Sequence, residues 1–332
     1  MHIARIGGLT PKQAQTIEFL DAASDRSTPV RLGRNDIFIA TAWWTAQMVK
    51  YILPLFNIKK IIYLIQDFEP LIHNASANYA LALETYSLDM LPIFNSSLLR
   101  DYFIHEKVGR FADSTFANTS LYFEPAVDPA IFFPPQPPKK ARKKRLLFYT
   151  RPEAQRNLLE IGIGALMKIL AEGRCNPDEW EFLSTDTGVA GKCRPVVLST
   201  SPEVILKPLA MRDLTTWADE IRNVDIMLSL ILSPHTSYPP LEAAVCGALV
   251  VTNTWSVKTE ERLRTISPNI IAGTPCVEGV ADALVRAMAL CDRERPAGAS
   301  ALSFPSSWHE SWEPVMPGLM DFLAEHGVKH SA

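Results

Sequence analysis

A short segment after a predicted β-strand carries two arginines, Arg151 and Arg156, five residues apart and just before a helical pattern. The guanidinium group donates paired, planar hydrogen bonds, and the first turn of a helix offers backbone N–H groups without partners. This arrangement suits a diphosphate. The alternative is that both arginines are ordinary surface residues of a turn. Lys207, at the end of the predicted strand 204–206, is a candidate third positive charge, or else a solvated lysine.

A second candidate group lies in the segment 233–253. The pattern there predicts a loop, then a helix that ends at Gly247, and then another apolar strand. Pro239 and Pro240 suit a first helical turn, because the N–H groups there have no helical partner. They predict that Glu242 lies in that first turn, at the positive end of the helix dipole. Glu242 is therefore a candidate ligand-binding residue; the alternative is a glutamate stabilised only by the dipole.

A third group follows the apolar strand predicted over 60–66. Gln66 and Asp67 stand where that strand ends, and Glu69 comes shortly after. Ligands of open α/β sheets bind beyond the carboxyl ends of the strands, so these side chains are predicted to meet an acceptor or the reacting centre. In the alternative interpretation they form a polar turn in which Asp67 caps the next segment.

Short apolar strands alternate with amphipathic helices along most of the chain, which predicts parallel sheets with helices on both faces. A proline-rich basic segment, 134–145, separates two such stretches and is interpreted as a linker. The prediction is an α/β protein with two Rossmann-like domains, 1–133 and 146–302, that face a cleft. Residues 303–332 are predicted to form a C-terminal helix that crosses back to the first domain.

Composition argues against several classes of protein. The net charge of −3 and the lack of basic-aromatic repeats argue against nucleic-acid binding. The five cysteines form no C-x-x-C pair and no H-E-x-x-H spacing occurs, so neither a disulfide framework nor a zinc site is predicted. No signal peptide is visible and no apolar run approaches the roughly 20 residues of a spanning helix, which predicts a cytoplasmic protein. The basic run 139–145 adds a second hypothesis, peripheral attraction to an anionic membrane face.

Five stretches together resemble the WsaF-type bacterial rhamnosyltransferases, within the broad family-four retaining glycosyltransferases. They are residues 37–46, 63–70, 95–103, 123–132 and, most closely, 233–253. The resemblance runs from about residue 36 to the C-terminus and implies the GT-B architecture of two Rossmann-like domains. It also implies a first domain shortened at its N-terminus, because only about 35 residues precede the first predicted strand.

The resemblance implies roles for the catalytic candidates. The family holds the donor phosphates with an arginine and, five residues later, a lysine. Arg151 and Arg156 stand at that spacing, with arginine in place of the lysine. Together with Lys207 they would stabilise the departing diphosphate. Gln66 and Asp67 would meet the acceptor hydroxyl from the side of the first domain.

The same resemblance implies how the donor is held. Glu242 would accept hydrogen bonds from the ribose of a nucleotide sugar. The family places a second glutamate eight residues earlier, near the sugar, and Pro234 occupies that position here. The backbone amides between His235 and Tyr238 are therefore expected to take over contacts with the donor sugar.

The predicted function is retaining transfer of a sugar, best matched by rhamnose from dTDP-rhamnose, to a glycan or lipid-linked acceptor in cell-surface polysaccharide synthesis. This is a hexosyltransferase-type enzyme of class EC 2.4 that needs neither a metal nor a cofactor. The alternative is a non-catalytic nucleotide- or glycan-binding protein that uses the shortened first domain as a docking surface. Pro234 and the short N-terminus favour that alternative.

Overall fold

The structure is a computed structural model, and it describes residues 29–135, 143–185, 195–209, 213–291 and 303–327, together with residues 10, 12, 15–18 and 20. Two separate sheets with helices packed against them make up the described chain. Their strands are parallel except for one strand at an edge, which confirms the predicted α/β class.

The first sheet contains four parallel strands in the order β1-β2-β3-β4. The strands are β1 (Ile39–Ala40), β2 (Ile61–Ile65), β3 (Met90–Phe94) and β4 (Leu121–Tyr122). The helices are α1 (Trp43–Ile52), α2 (Ala77–Thr85), α3 (Ser97–His105) and α4 (Ser114–Asn118), with 3-10 turns at Leu53–Leu55, Glu69–Ile72 and Gly109–Ala112. All five residues of β3 are buried, as expected for a parallel strand covered on both faces. The first predicted strand, expected after about 35 residues, is observed as the two-residue strand β1.

The second sheet contains seven strands in the order β11-β10-β9-β5-β6-β8-β7. The strands are β5 (Lys144–Phe148), β6 (Trp180–Thr185), β7 (Val196–Thr200), β8 (Glu203–Leu209), β9 (Ile226–Leu228), β10 (Leu249–Asn253) and β11 (Ile270–Gly273). The helices are α5 (Leu159–Ala171), α6 (Leu214–Arg222), α7 (Tyr238–Val245), α8 (Glu260–Ile266) and α9 (Val277–Cys291), with a 3-10 turn at Gln155–Asn157. β7 pairs antiparallel with β8 at the sheet edge, and the sequence pattern did not predict it.

Strand β5 begins inside the segment predicted as a linker. Lys144 and Arg145 lie in register with the first residues of β6, and Arg145 Nε forms an ion pair with Glu181 Oε2 at 2.8 Å. Residues 136–142, which hold much of the predicted linker and the start of the basic run, lie outside the described residues. Within the described part of the chain, no helix combines the length and apolar character that crossing a membrane requires.

The end of the described chain packs on the first sheet. Helices α10 (Trp308–Trp312) and α11 (Met316–Glu325) follow the second domain. Side chains before and in α11 share a buried cluster with the first sheet, which contains Ile62, Leu91, Ile93, Phe123, Val315 and Phe322. Phe123 stacks on Trp312 at 4.8 Å between ring centroids and meets Trp308 edge-on at 6.3 Å. The two tryptophans therefore serve packing between the chain end and the first domain.

Candidate functional site

Four polar side chains from the two domains meet where strands of both sheets end. Asp67 follows β2, Arg156 lies in the segment between β5 and α5, and Ser233 and His235 lie in the loop after β9. The carboxyl ends of parallel strands are where open α/β sheets bind ligands. We call these four residues the interdomain cluster.

The carboxylate of Asp67 is the centre of the interdomain cluster. Its Oδ1 accepts a hydrogen bond from Ser233 Oγ at 2.8 Å and lies 3.4 Å from His235 Nε2, and its Oδ2 pairs with Arg156 Nη1. Asp67 is only 6% exposed. Burial by itself would raise the pKa of this carboxyl, but His235 and Arg156 hold it well below its usual range. Asp67 is therefore ionised at neutral pH.

His235 presents an N–H group to Asp67. The backbone N–H of Ser237 donates to His235 Nδ1 at 3.0 Å, so a neutral ring carries its proton on Nε2. Ser237 has φ of 69° and ψ of 163°, a backbone conformation that favours glycine and is strained for serine. The bond to His235 thus helps to hold a strained turn directly before α7.

Side chains from outside the loop hold the loop after β9 in place. Asn253 Oδ1 accepts from the backbone N–H of Ile231 at 2.7 Å, and Asn253 Nδ2 donates to the Ile231 carbonyl at 3.1 Å. Lys258 Nζ donates to the same carbonyl at 3.0 Å. Lys258 is fully buried, and burial lowers its pKa to about 7 while the charge of Asp67 acts in the opposite direction. These contacts fix the backbone that carries Ser233 to Asp67.

The turn after β2 is held by the core of the first domain. The backbone N–H of Glu69 donates to the Tyr86 hydroxyl at 3.2 Å. Glu69 Oε2 accepts from the backbone N–H of Trp43, the first residue of α1, at 2.7 Å and from the Tyr63 hydroxyl at 3.0 Å. Burial raises the pKa of Glu69 to about 7. Glu69 therefore joins α1 to the turn that presents Asp67 to the second domain.

Gln66 and a cavity occupy the first-domain side of the site. The side-chain amide of Gln66 donates to the Thr41 carbonyl at 2.9 Å, which joins the loops after β1 and β2, and Gln66 is exposed. A cavity of about 630 Å³ lies between the domains. Its polar walls are His73, Asn74 and Ser76 from the first domain and Glu153, Gln155 and Arg156 from the second. This volume is within the range of small-molecule sites.

Glu242 belongs to a different group from Asp67. Helix α7 begins at Tyr238 with Ser237 as its N-cap, so Glu242 is the fifth helical residue, and the prediction that it lies in the first turn is wrong. Trp217 Nε1 donates to Glu242 Oε2 at 2.7 Å. Burial raises the pKa of Glu242, and the bond from Trp217 opposes this. The carboxyl is held by an indole N–H rather than by the helix dipole.

The charge of Glu242 acts on two nearby tyrosine side chains, Tyr238 and Tyr149. Burial and the charge of Glu242 raise the pKa of Tyr238 to about 12. Burial also raises the pKa of Tyr149, where the charge of Arg151 opposes the rise and that of Glu242 adds to it. The Tyr149 ring lies 6.1 Å from the ring of Trp217, between centroids. Tyr149 is therefore within electrostatic reach of both Arg151 and Glu242.

Lys207 lines a different cavity from Arg156. It stands inside β8 and lines a cavity of about 540 Å³ with Asp178 and Trp180, at the start of β6. Lys207 pairs with Leu183 of β6, and none of the described residues lines both that cavity and the one beside Arg156. The prediction that the strand ends at 206 is wrong, because β8 continues through Leu209. That Lys207 adds a third positive charge beside Arg151 and Arg156 stays a prediction.

Neither Ser233 nor Lys258 was predicted from the sequence to be a site residue. Ser233 lies within the segment 233–253, and its position at the end of a buried run was a usable signal. Lys258 carries no such signal, because a lysine after a strand is normally solvated and only the tertiary structure buries it.

Both domains of the chain match models of one known protein family. The model described as "WsaF, N-terminal domain" matches residues 5–97, and "WsaF, C-terminal domain" matches residues 144–285. The chain belongs to the WsaF family of glycosyltransferases. The N-terminal match begins at residue 5, so this WsaF likeness extends further towards the N-terminus than the resemblance predicted from residue 36.

A curated relative supports the same family. The O-antigen biosynthesis protein RfbC of Myxococcus xanthus is 29% identical over 330 residues, which are 96% of this chain and 23% of RfbC. The chain thus spans about a quarter of the length of the curated relative it matches.

Solved structures show the fold. Sucrose-phosphate synthase (tll1590) from Thermosynechococcus elongatus matches with a TM-score of 0.55 and 13% identity over 87% of this chain and 73% of that chain. Anabaena Alr3699/HepE in complex with UDP-glucose matches with a TM-score of 0.56 and 12% identity over 86% of this chain and 78% of that chain. At these identities the likeness concerns the fold alone, and it confirms the GT-B architecture of two Rossmann-like domains.

Proposed function

We propose that this WsaF-family chain transfers a sugar from a nucleotide donor to a glycan acceptor in cell-surface polysaccharide synthesis. The interdomain cluster carries the proposal, because it joins an ionised carboxylate of the first domain to the arginine segment of the second at the carboxyl ends of strands. The name of the Myxococcus relative, an O-antigen biosynthesis protein, and the UDP-glucose bound to HepE support a nucleotide sugar as donor.

The donor is proposed to lie along the second domain. Arg151 and Arg156 bind its diphosphate, since guanidinium groups match phosphate oxygens. Glu242 accepts hydrogen bonds from the ribose. The backbone amides between His235 and Tyr238 contact the sugar. The preference of WsaF-type proteins supports dTDP-rhamnose as the donor.

The chemistry is an exchange of one bond at the anomeric carbon. The bond from this carbon to the diphosphate oxygen breaks, and a bond to the acceptor oxygen forms. With retention, the acceptor arrives on the face from which the diphosphate leaves, so the departing phosphate can take the proton of the acceptor hydroxyl. Arg151 and Arg156 stabilise the negative charge that develops on the leaving group, and no metal is required.

The acceptor is proposed to enter from the first domain. Gln66, Asp67 and the cavity bounded by His73 and Asn74 are the polar groups on that side. A glycan or a lipid-linked glycan offers the hydroxyl groups that such a surface binds. Closure of the two domains excludes water, which would otherwise divert the sugar to hydrolysis.

The proposal is tested first by binding and then by turnover. Thermal shifts with dTDP, UDP, GDP and their sugar conjugates select the donor, because a ligand of the native state raises its stability with occupancy. Calorimetry then compares Arg151→Ala and Glu242→Ala with Arg174→Ala, the control, which follows the C-terminal end of α5 and pairs with Glu172 and Asp282. The first two should weaken nucleotide binding at least about tenfold, a loss of about 1.4 kcal/mol, and the control should leave it unchanged.

A second candidate function is nucleotide binding without transfer. Pro234, where the family has a glutamate near the sugar, favours it. Turnover is followed as nucleoside diphosphate released from dTDP-rhamnose, with a chelator present to test metal independence. Nucleotide binding without release to an acceptor or to water would select the second candidate. Absence of nucleotide binding would contradict both.

A further inference from the structure

The groups that surround the Asp67 carboxylate are of the kinds that bind a phosphate. A guanidinium from Arg156, a hydroxyl from Ser233 and an imidazole N–H from His235 all approach its oxygens from the second domain. Within the described ranges, Asp67 is the only carboxylate that pairs with Arg156. The two carboxylate oxygens thus lie where the same donors would hold the anionic oxygens of a ligand.

A buried lysine adds to this site. Lys258 Nζ has no exposure to solvent, bonds to the Ile231 carbonyl and interacts electrostatically with Asp67. Removing an ammonium group from water is costly unless an anion stands nearby. The surroundings therefore favour an anion, and in this structure Asp67 supplies it.

We propose that the Asp67 carboxylate and a phosphate of the nucleotide donor compete for this anion site, so that donor binding displaces Asp67 from the interdomain cluster. The proposal rests on the proposed function, because it takes the segments after β5 and β9 as the donor side. Displacement removes one contact between the domains, so donor binding and this interdomain contact exclude each other. Because of this competition, the apparent donor affinity equals the intrinsic affinity multiplied by the fraction of molecules in which Asp67 has left the site.

The test compares two carboxylates that both join the domains. Asp101 of α3 pairs with Arg262 of α8 at 2.5 Å, away from the segments after β5 and β9, so Asp101→Asn is a matched control for Asp67→Asn. The probe is inorganic pyrophosphate, titrated into each protein by calorimetry at one ionic strength. Asp67→Asn should bind it about tenfold more tightly than the wild type if Asp67 occupies the site in nine molecules of ten.

The control separates release of the anion site from loosening of the domains. Asp101→Asn should bind pyrophosphate within about twofold of the wild type, since it frees no group of the anion site. Equal or weaker binding by Asp67→Asn overturns the proposal. An equal gain in both variants also overturns it, because domain loosening alone would then explain the effect.

A measurement on the wild type keeps the proposal testable if Asp67→Asn does not fold. Hydrogen exchange is followed with and without pyrophosphate in the segment 67–72, which contains Asp67 and the 3-10 turn Glu69–Ile72. Displacement predicts faster exchange there, whereas unchanged or slower exchange overturns it. Nucleotide binding by the wild type with no gain in Asp67→Asn overturns this inference and leaves the proposed function standing. Failure of both proteins to bind dTDP, UDP or GDP overturns the proposed function itself.

Discussion

The ion pair between Asp67 and Arg156 joins the two domains through side chains that are only 9% and 17% exposed. A charge in such surroundings loses its hydration, so each partner depends on the other. Ser233 and His235 supply further hydrogen-bonding groups to Asp67. Arg151 is a contrast, because it is exposed and its side chain makes no hydrogen bond or ion pair within the described ranges.

This contrast predicts different effects on stability. Arg156→Ala should lower the free energy of unfolding by about 2 kcal/mol, because it leaves a buried carboxylate without its guanidinium, although opening of the domains can rehydrate part of that charge. Arg151→Ala should change it by less than about 0.5 kcal/mol. Urea unfolding of both variants, with no nucleotide present, gives the comparison. Equal losses would show that Asp67 does not depend on Arg156.

Glu69 predicts a pH dependence of stability. Its pKa is raised from 4.5 to about 7 by burial, so its contribution to stability is complete below pH 4.5 and is lost as the pH rises through 7. Glu69→Gln stays neutral at every pH, and its amide oxygen can accept from Trp43 and Tyr63. The variant should therefore gain stability relative to the wild type between pH 5 and pH 8, by about 1.4 kcal/mol for each pH unit from 5 to 7. Urea unfolding at both pH values measures this, and a constant difference would contradict it.

At the scale of elements, helix α5 approaches strand β5 so closely that no side chain fits between them. A Cβ at Gly162 would lie 2.1 Å from Phe148 Cζ, and Phe148 is fully buried. This close approach fixes the packing of α5 against the end of β5. The segment between the two elements carries Arg156 to the interdomain cluster.

Substitution of two glycines in α5 tests this packing. Gly162→Ala should lower the free energy of unfolding by about 2 kcal/mol or more, because the phenyl ring of Phe148 has no room to move in the core. Gly164→Ala is the control in the same helix, since its Cβ would meet only a methyl group of Val277 at 3.0 Å, and alanine favours the helix by about 1 kcal/mol. Chemical denaturation should give a much lower free energy of unfolding for Gly162→Ala than for Gly164→Ala. The reversed order would contradict the close approach.

At the scale of the whole molecule, contacts beyond the interdomain cluster also join the domains. Arg262 pairs with Asp101 at 2.5 Å, and Ser256 Oγ donates to Glu106 at 2.6 Å. Helix α11, which follows the second domain in the chain, packs its apolar face on the first sheet. The chain therefore crosses between the domains twice, which restrains their relative position from two sides.

The packing of α11 predicts a stability effect in the first domain. Phe322→Ala should destabilise that domain by about 3 kcal/mol, because it opens a cavity in the cluster shared with Ile62 and Ile93. Asp321→Ala, at an exposed position of the same helix, should change stability by less than about 0.5 kcal/mol. Differential scanning calorimetry shows whether the unfolding transition of the first domain shifts to a lower temperature. Equal melting profiles for Phe322→Ala and the wild type would show that α11 adds little to the first domain.

The amino-acid sequence predicted the α/β class and most elements, because each depends on local hydrophobic periodicity and turn residues. The apolar strand predicted after Gly247 is observed as β10, Leu249–Asn253. Some predictions were wrong because an element begins one residue away from the predicted position. Helix α7 begins at Tyr238, before Pro239, so Glu242 lies outside its first turn. Another error arose at β8, which continues past 206 through Leu209 and so keeps Lys207 within the sheet.

The types of residue in the candidate site were visible in the sequence, but their grouping was not. Arg151 and Arg156 are five residues apart along the chain, yet Arg151 is exposed whereas Arg156 pairs with Asp67, 89 positions away. The burial of Lys258 and the contact of Ser233 with Asp67 likewise depend on how two sheets meet. Local sequence determines which residues follow each strand, whereas charges far apart in sequence interact only after domain packing removes water between them, and that was decided by the tertiary structure.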